Sequence, residues 1–222
     1  FYGMKAHVLI RFGKWQEILD EPLPEDPELF CVTHAVWQYA KGIAHAVLGN
    51  IDTALEQQQL LRKAVGALPE DRIVFQNDAR DILAVAGPML AGELEYRRGN
   101  YDIAFSHLRK AVELYDDLNY SEPWSWMMPP RHALGALLLE QNYVDEATAV
   151  YRADLGLDDT LVRPSQHPDN IWSLVGYAEC CERSGDLKTL DEIRPELEKA
   201  RGIADDSIDV SCFCRIGHTC CD

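Results

Sequence analysis

The last twelve residues of the chain, SCFCRIGHTCCD, concentrate side chains that bind metal ions. The pairs Cys212-x-Cys214 and His218-x-Cys220 place four sulfur and nitrogen donors within nine residues. Thiolates prefer soft or borderline ions and imidazole accepts the same ions, so zinc, copper or iron suits this set. The segment is therefore predicted as a candidate metal site.

The spacing leaves two other interpretations of this segment open. Cys-x-Cys differs from the two-residue separation of a zinc knuckle, and the cysteines of a terminal segment can act as small hydrophobic side chains against the last helix. In the other arrangement, Cys212 and Cys214 meet His7, His132 or Cys180 on the main body of the chain and form a copper or iron site.

Signatures of the common enzyme classes are absent from the sequence. It contains no Gly-rich phosphate loop, no Gly-x-Ser-x-Gly elbow and no His-Glu-x-x-His pair. The sequence therefore assigns no catalytic residue, and whether the protein is an enzyme stays open at this point.

The composition is that of a folded protein with an acidic surface. Hydrophobic residues make up 47% of the 222 residues, and 21 Lys and Arg stand against 37 Asp and Glu, a net charge of −16. An acidic surface repels phosphate backbones, so no nucleic-acid partner is expected. No apolar run approaches the roughly 20 residues that span a bilayer, so no membrane partner is expected.

The cysteine pattern favours a reducing compartment, and we predict a cytoplasmic protein. The seven cysteines include the adjacent pairs Cys180–Cys181 and Cys220–Cys221, and neighbouring cysteines rarely bridge each other because the geometry is strained. No segment resembles a signal peptide. The chain starts with FYGMKAH, already in a helical pattern and without an initiating Met, so we expect a trimmed product that lacks upstream repeats.

Most of the chain repeats one pattern of a small-residue helix, a tight turn and a second helix. The pattern occurs in YAKGIAHAVLGNIDTALEQ, MLAGELEYRRGNYDIAFSH, HALGALLLEQNYVDEATAV and LVGYAECCERSGDLKTLDEI, with an earlier copy in MKAHVLIRFGKWQEIL. The leading glycines are Gly42, Gly92, Gly135 and Gly176, and the first three precede Ala54, Ala104 and Ala147 by twelve residues. The turn residues are Gly13, Gly49, Gly99, Asn142 and Gly185.

Each of these residue types has a structural reason. A small residue in the first helix lets the second helix approach closely, and Gly or Asn supplies the left-handed conformation that ends a helix. One helix pair cannot bury its apolar face alone, so successive pairs are expected to stack.

The repeats resemble the tetratricopeptide repeat family, which the sequence also matches at Leu134–Gly135, Tyr151 and Trp172. The resemblance implies an all-α fold, a right-handed superhelix (α-solenoid) of about five antiparallel helix pairs over residues 1–203. A Cys-rich tail would follow over residues 204–222. The turn-to-turn spacings of 36, 50, 43 and 43 exceed the family repeat of about 34, so loops or helices have grown.

In this family the first helices of successive repeats line a concave groove that holds a ligand. Carried over to this sequence, the resemblance implies a groove lined by His7, Arg11, Tyr39, Glu93, Tyr96, Arg97, His132 and Tyr177. Such a mixture of arginines, carboxylates and aromatic rings suits an extended peptide or a small polar ligand.

Two Pro-rich loops lie between the repeats. The tryptophans of YSEPWSWMMPP are expected either to cap the core or to build a pocket wall. In VRPSQHPDNIW, Asp169 or Asn170 is expected to cap the helix that carries Trp172, which leaves His167 with a structural role.

The function predicted from the sequence is a protein- or peptide-binding scaffold that uses its concave groove. The alternative is a metal-dependent enzyme on the same scaffold, with zinc, copper or iron held by the Cys-rich tail and groove histidines. A third interpretation is a structural subunit of a larger assembly. No cofactor is certain from the sequence, and the oligomeric state is left open.

Overall fold

The computed structural model describes residues 2–205 and 207–215, and its regular structure is almost entirely helical. Ten α-helices occur in this part of the chain: α1 Tyr2–Arg11, α2 Trp15–Asp20, α3 Cys31–Val47, α4 Ile51–Gly66, α5 Ala79–Arg97, α6 Tyr101–Asp116, α7 Pro130–Glu140, α8 Val144–Leu155, α9 Ile171–Ser184 and α10 Leu187–Ile203. The remaining regular elements described are a 3₁₀ turn at Arg163–Ser165 and an antiparallel ribbon of β1 Ile73–Val74 and β2 Asn77–Asp78. The all-α prediction is confirmed, whereas a superhelix of the tetratricopeptide type stays a prediction.

The ten helices form five consecutive pairs, each joined by a turn of two or three residues. Every turn contains one residue with a positive φ: Gly13 at 62°, Gly49 at 81°, Gly99 at 80°, Asn142 at 62° and Gly185 at 75°. In each turn the next amide donates to a carbonyl five residues earlier, as Asn50 N does to His45 O at 2.8 Å. This bond ends the first helix and reverses the chain, so the predicted turn residues are confirmed.

Small residues set the distance between neighbouring helices. Gly92 of α5 faces its paired helix α6, as the repeat pattern predicted, whereas Gly42 of α3 faces α5, the first helix of the next pair. A Cβ added to Gly42 would lie 2.7 Å from Leu90 Cδ2, and one added to Gly92 would lie 2.7 Å from Leu108 Cγ. Ala104, which follows Gly92 in the pattern, is fully buried. A larger side chain at these positions would push the helices apart.

The chain divides into two compact units, and the first extends to Pro130. It contains α1 to α6, the ribbon and the loop after α6. Helix α3 lies at its centre and contacts α1, α2, α4 and α5, while α5 also contacts α4 and α6. Trp37 and Tyr39 of α3 are fully buried with Leu90 of α5 and Phe105 of α6. We call this part the N-terminal unit.

The second compact unit begins at Arg131 and contains α7 to α10 with the described segment 207–215. Helix α9 packs against α8 and α10. The segment 207–215, which the sequence analysis placed in a tail, is packed here: Val210 is buried, and the Phe213 ring lies 5.9 Å from the Trp172 ring. We call this part the C-terminal unit.

None of the helices in the described residues combines the length and the apolar character needed to cross a membrane.

The ring of Tyr151 occupies the space left by two glycines in the C-terminal unit. A Cβ added to Gly135 of α7 would lie 2.4 Å from Tyr151 Cζ, and one added to Gly176 of α9 would lie 2.2 Å from the same atom. The Tyr151 hydroxyl is hydrogen-bonded to Ser211, so the segment 207–215 is fixed to this contact.

We expect Gly176→Ala to lower the free energy of unfolding by roughly 1–3 kcal/mol, because the methyl group overlaps the buried Tyr151 ring. Urea unfolding followed by circular dichroism measures this change. Gly202→Ala is the matched control, since no atom lies within 4 Å of its added Cβ. In α10 the Gly202→Ala substitution should raise the free energy of unfolding by roughly 0.5–1 kcal/mol. Equal effects of the two substitutions would contradict the packing argument.

Candidate functional site

The structure encloses nearly all of the residues that the sequence analysis placed in a ligand groove. In the N-terminal unit, His7, Tyr39, Glu93 and Tyr96 are buried, the Arg97 side chain is 5% exposed, and Arg11 is partly exposed. In the C-terminal unit, His132 and Tyr177 are buried. An open groove would leave these side chains accessible to a ligand. Their role in ligand binding therefore stays a prediction.

Residues 117–129, which we call the covering loop, close over part of this face in the N-terminal unit. Trp126 is fully buried, and its ring centroid lies 4.7 Å from that of His7 on α1 and 5.1 Å from that of Tyr39 on α3. Trp124 in the same loop is 41% exposed. One of the two tryptophans thus covers the core, and the other faces solvent.

The covering loop is held in place by Asn77 of the ribbon. The Asn77 amide donates to the Asn119 carbonyl and to Ser125 Oγ, both at 2.8 Å, and accepts a bond from Asn119 N at 2.7 Å. These bonds use both the amide nitrogen and the amide oxygen of the buried Asn77 side chain. The ribbon therefore positions the loop that carries Trp126.

His7, Tyr39 and Trp126, which we call the aromatic cluster, combine contact between rings with buried polar atoms that lack a hydrogen bond. His7 Nδ1, Tyr39 Oη and Trp126 Nε1 are buried and have no hydrogen-bond partner within the described residues. Burial of such an atom without a partner costs roughly 1–3 kcal/mol. Unpaired polar atoms are uncommon in protein cores and call for an explanation.

Charged groups surround the aromatic cluster and set its protonation. Burial, together with the charge of Arg11, lowers the pKa of His7 to about 4, so the imidazole is neutral at pH 7. Burial and the charge of Glu93 raise the pKa of Tyr39, so the phenol keeps its proton. Glu93 accepts from Arg97 Nε at 2.7 Å and from its Nη2 at 2.6 Å, which forms a buried ion pair on α5.

A second polar cluster, in the C-terminal unit, is centred on Asp154 at the end of α8. Its Oδ2 lies 3.0 Å from His132 Nε2, 3.0 Å from Asn170 Nδ2 and 2.6 Å from Ser173 Oγ. Its Oδ1 lies 2.9 Å from His167 Nδ1. The carboxylate thereby connects α7, α8, the loop before α9 and α9 itself. We call this arrangement the Asp154 cluster.

The protonation of the Asp154 cluster follows from its contacts. Burial raises the pKa of the Asp154 carboxyl, but the charges and hydrogen bonds of His132 and His167 outweigh burial, and the net pKa lies far below its usual range. An ionised carboxylate only accepts hydrogen bonds, so both imidazoles donate to it. Because the carboxylate oxygens are occupied by four side-chain donors, this arrangement stabilises the fold and has no open position for a ligand.

No role was predicted for Asp154, although the sequence contained a signal for its burial. Ala147, Tyr151 and Asp154 follow one another at helical spacing, so the carboxylate lies on the buried face of α8. A carboxylate on an apolar face predicts that hydrogen-bond donors are buried beside it.

The expectation that Asp169 or Asn170 caps α9 is confirmed, because Asn170 Oδ1 accepts from Ser173 N at 2.9 Å.

The cysteines of the C-terminal unit that the structure describes do not present free thiolates. Cys212 and Cys214 are joined as a disulfide, and a disulfide sulfur is not a thiolate ligand. Burial raises the pKa of the Cys180 thiol to about 11, so it is protonated at neutral pH. His218 and Cys220 lie outside the described residues. Within those residues no three His, Cys, Asp or Glu side chains are arranged to hold a metal ion, and the metal site stays a prediction.

An open groove with a volume of about 560 Å³ lies between α4, α5 and α6 of the N-terminal unit. Its lining residues are mostly apolar or small, with three basic side chains and no acidic one: Gln58, Leu61, Arg62, Val65, Gly66, Leu83, Ala84, Gly87, Pro88, Ala91, His107, Lys110 and Leu114. We call it the α4–α6 groove. None of the ligand-binding residues predicted from the sequence lines this groove.

Comparison with known proteins assigns no family to the chain. No protein-family model matches it, and no curated protein or solved structure is significantly similar to it. The class of protein defined by the structure is therefore an all-α protein of consecutive helical hairpins, and its function has to be argued from its own residues.

We expect Asp154→Asn to lower the free energy of unfolding by roughly 3–5 kcal/mol at pH 7, because it breaks a buried network of charge-assisted hydrogen bonds. The pH dependence has a definite sign. A carboxyl whose folded-state pKa is depressed stabilises the fold above its unfolded value of about 3.9, and this contribution is lost as the pH falls.

Urea unfolding between neutral pH and acid tests both parts of this prediction. As the pH is lowered below about 5, the free energy of unfolding should fall more steeply in the natural protein than in Asp154→Asn. Asp145→Asn, on the first turn of the same helix, is the control for loss of a carboxylate. Parallel pH profiles for the natural protein and Asp154→Asn would show that this carboxyl has an ordinary pKa.

Proposed function

We propose that the protein is a binding scaffold that holds a peptide segment of a partner protein in the α4–α6 groove. The segment would be apolar on one side and acidic on the other. The observation that carries this proposal is the lining of the groove, an apolar floor beside Arg62, His107 and Lys110 without an acidic side chain. The chain as a whole has a net charge of −16, so this composition differs from that of the rest of the surface.

The floor of the groove is shaped by small residues of α5. No atom lies within 4 Å of a Cβ added to Gly87, and Ala84 and Ala91 lie beside it along the same helix. Pro88 carries no N–H, so the helix cannot give the Ala84 carbonyl its usual bond. The small side chains of this floor leave space for apolar side chains of a partner.

The rim of the groove favours acidic partners. Arg62 donates to Gln58 at 2.8 Å, and Lys110 pairs with Glu113 at 2.8 Å in an exposed ion pair. Exposed pairs contribute only about 0–1 kcal/mol, so a partner carboxylate can replace them at little cost. Charge complementarity of this kind gives specificity and speeds association.

The resemblance of the repeats to the tetratricopeptide family supports the same class of function, since stacked helical hairpins of that family bind peptides. The position of the proposed binding groove differs from the position that the resemblance implied. The groove proposed here lies between α4 and α6, the second helices of their pairs, with α5 as its floor. The side chains that the resemblance placed in a groove are different residues and are mostly buried. No specific observation favours the metal-dependent enzyme.

We expect a short fluorescein-labelled peptide of leucine and glutamate in amphipathic order to bind the natural protein, as measured by fluorescence anisotropy. The same peptide with lysine in place of glutamate should bind at least about tenfold more weakly. Because the basic side chains are exposed, added salt should weaken binding of the acidic peptide. Gly87→Leu should reduce its affinity about tenfold or more, since the new side chain fills the groove.

Two further variants distinguish loss of the groove from a change in the helix. Gly87→Ala keeps most of the space and should leave the affinity within about threefold. Gly202→Leu adds the same side chain to a helical glycine of α10 that also has no atom within 4 Å, and should leave binding unchanged. Equal binding of the two peptides, or full binding by Gly87→Leu, would refute the proposal.

A further inference from the structure

A cavity in the C-terminal unit, with a volume of about 440 Å³, lies between α9, α10 and the segment 207–215. We call it the α9–α10 cavity, and it shares no residue with the α4–α6 groove. Its volume lies within the range of roughly 300–1,000 Å³ that is usual for small-molecule sites. Its lining residues are Val175, Ala178, Glu179, Glu182, Leu190, Arg194, Leu197, Glu198, Arg201, Asp209 and Arg215.

The segment 207–215 forms one wall of this cavity and is held in place by its own contacts. The Ser211 hydroxyl is hydrogen-bonded to the buried Tyr151 hydroxyl of α8, and Val210 is buried. Arg215, at the end of this segment, lines the cavity. A charged side chain is therefore carried into the cavity by a wall that is packed against the rest of the unit.

The guanidinium of Arg215 has donors that the protein does not use. The side chain is only 10% exposed, and its Nη1 donates to Glu179 at 2.6 Å. Its Nε is buried and has no hydrogen-bond partner within the described residues. The edge of the guanidinium formed by Nε and Nη2 is the edge that binds a carboxylate with two parallel hydrogen bonds. An unpaired buried donor on this edge requires an acceptor from outside the described residues.

The charges that line the α9–α10 cavity nearly cancel, which restricts the ligand further. Three arginines stand against four carboxylates. A simple anion would meet this excess of carboxylates, whereas a simple cation would leave the Nε edge of Arg215 without an acceptor. A ligand that carries one negative and one positive group avoids both costs.

The cavity offers partners for the remaining parts of such a ligand. Glu182 of α9 and Glu198 of α10 line it, and neither carboxylate forms a hydrogen bond or an ion pair within the described residues. Val175 and Ala178 of α9 and Leu197 of α10 add buried apolar surface to the same cavity. An ammonium group, a carboxylate and an apolar side chain thus all find complementary groups.

We propose that the α9–α10 cavity binds a free amino acid with an apolar side chain. The carboxylate of the ligand accepts from the Nε edge of Arg215, and its ammonium group pairs with Glu182 and Glu198. Its side chain packs on the apolar lining. This site differs in position and in ligand from the peptide-binding groove, so either proposal can fail without the other.

L-Leucine is the probe for this site. Isothermal titration calorimetry on the natural protein should show saturable binding of leucine. Isocaproate, which lacks the ammonium group, and isoamylamine, which lacks the carboxylate, should each bind at least about tenfold more weakly. Both analogues keep the apolar side chain, so the comparison isolates the two charged contacts.

Arg215→Lys should raise the dissociation constant for leucine about tenfold or more, because lysine keeps the charge but lacks the planar pair of donors. Arg183→Lys is the matched control, since Arg183 also bonds Glu179 but does not line the cavity. It should leave leucine binding within about threefold of the natural protein.

A pair of exposed carboxylates tests the ammonium contact without touching a buried side chain. The double change Glu182→Gln and Glu198→Gln should weaken leucine binding about tenfold or more. Glu192→Gln with Glu196→Gln, on exposed positions of α10 outside the cavity, should leave it unchanged.

Three results would overturn the proposal. Leucine could fail to bind the natural protein. Isocaproate could bind as tightly as leucine, which would show a site for simple anions. Arg215→Lys could keep the full affinity for leucine. If Arg215→Lys does not fold, full leucine affinity in the double glutamine variant of Glu182 and Glu198 would refute the proposal instead.

Discussion

The close approach of neighbouring helices at residues without side-chain bulk is the constraint on which the other features of this protein depend. At Gly42 and Gly92 a single added carbon would lie 2.7 Å from a leucine of a neighbouring helix, and at Gly135 and Gly176 it would overlap the same tyrosine ring. Helices this close bury whatever side chains lie between them, polar ones included. The polar residues of the first helices must therefore find partners inside the protein, because water does not reach them.

The two units meet this requirement differently. In the C-terminal unit, Asp154 supplies one carboxylate that accepts from His132, His167, Asn170 and Ser173, so each of these side chains has a partner. A buried network of this kind is satisfied at every member and fixes the positions of three helices. In the N-terminal unit Glu93 and Arg97 form a buried ion pair, whereas the polar atoms of the aromatic cluster have no hydrogen-bond partner in the described residues.

The sequence predicted the local structure well because local structure is set by nearby residues. The turn residues from Gly13 to Gly185 each require a left-handed backbone, and the small residues at fixed spacing require a close helix contact. Long-range contacts carry no such local signal: Asn77 and Asn119 are 42 residues apart, and Tyr151 and Ser211 are 60 apart. For this reason the bonds of the covering loop to Asn77 and of segment 207–215 to Tyr151 were not predicted, although capping of the core by a loop tryptophan was one of the two expectations. The expected groove residues proved to be mostly buried.

The contrast between the two polar clusters also separates structure from function. A buried polar group with all its partners contributes to stability and gives no reason to expect a ligand, as at Asp154. An unpaired group lowers stability, so a buried polar atom without a protein partner is expected to be satisfied by ordered water or by a ligand. Natural proteins depart from consistent packing mainly where function requires it. The contacts of the Asp154 cluster are thus explained by folding, whereas the unpaired polar atoms of the aromatic cluster are not explained by contacts within the described residues.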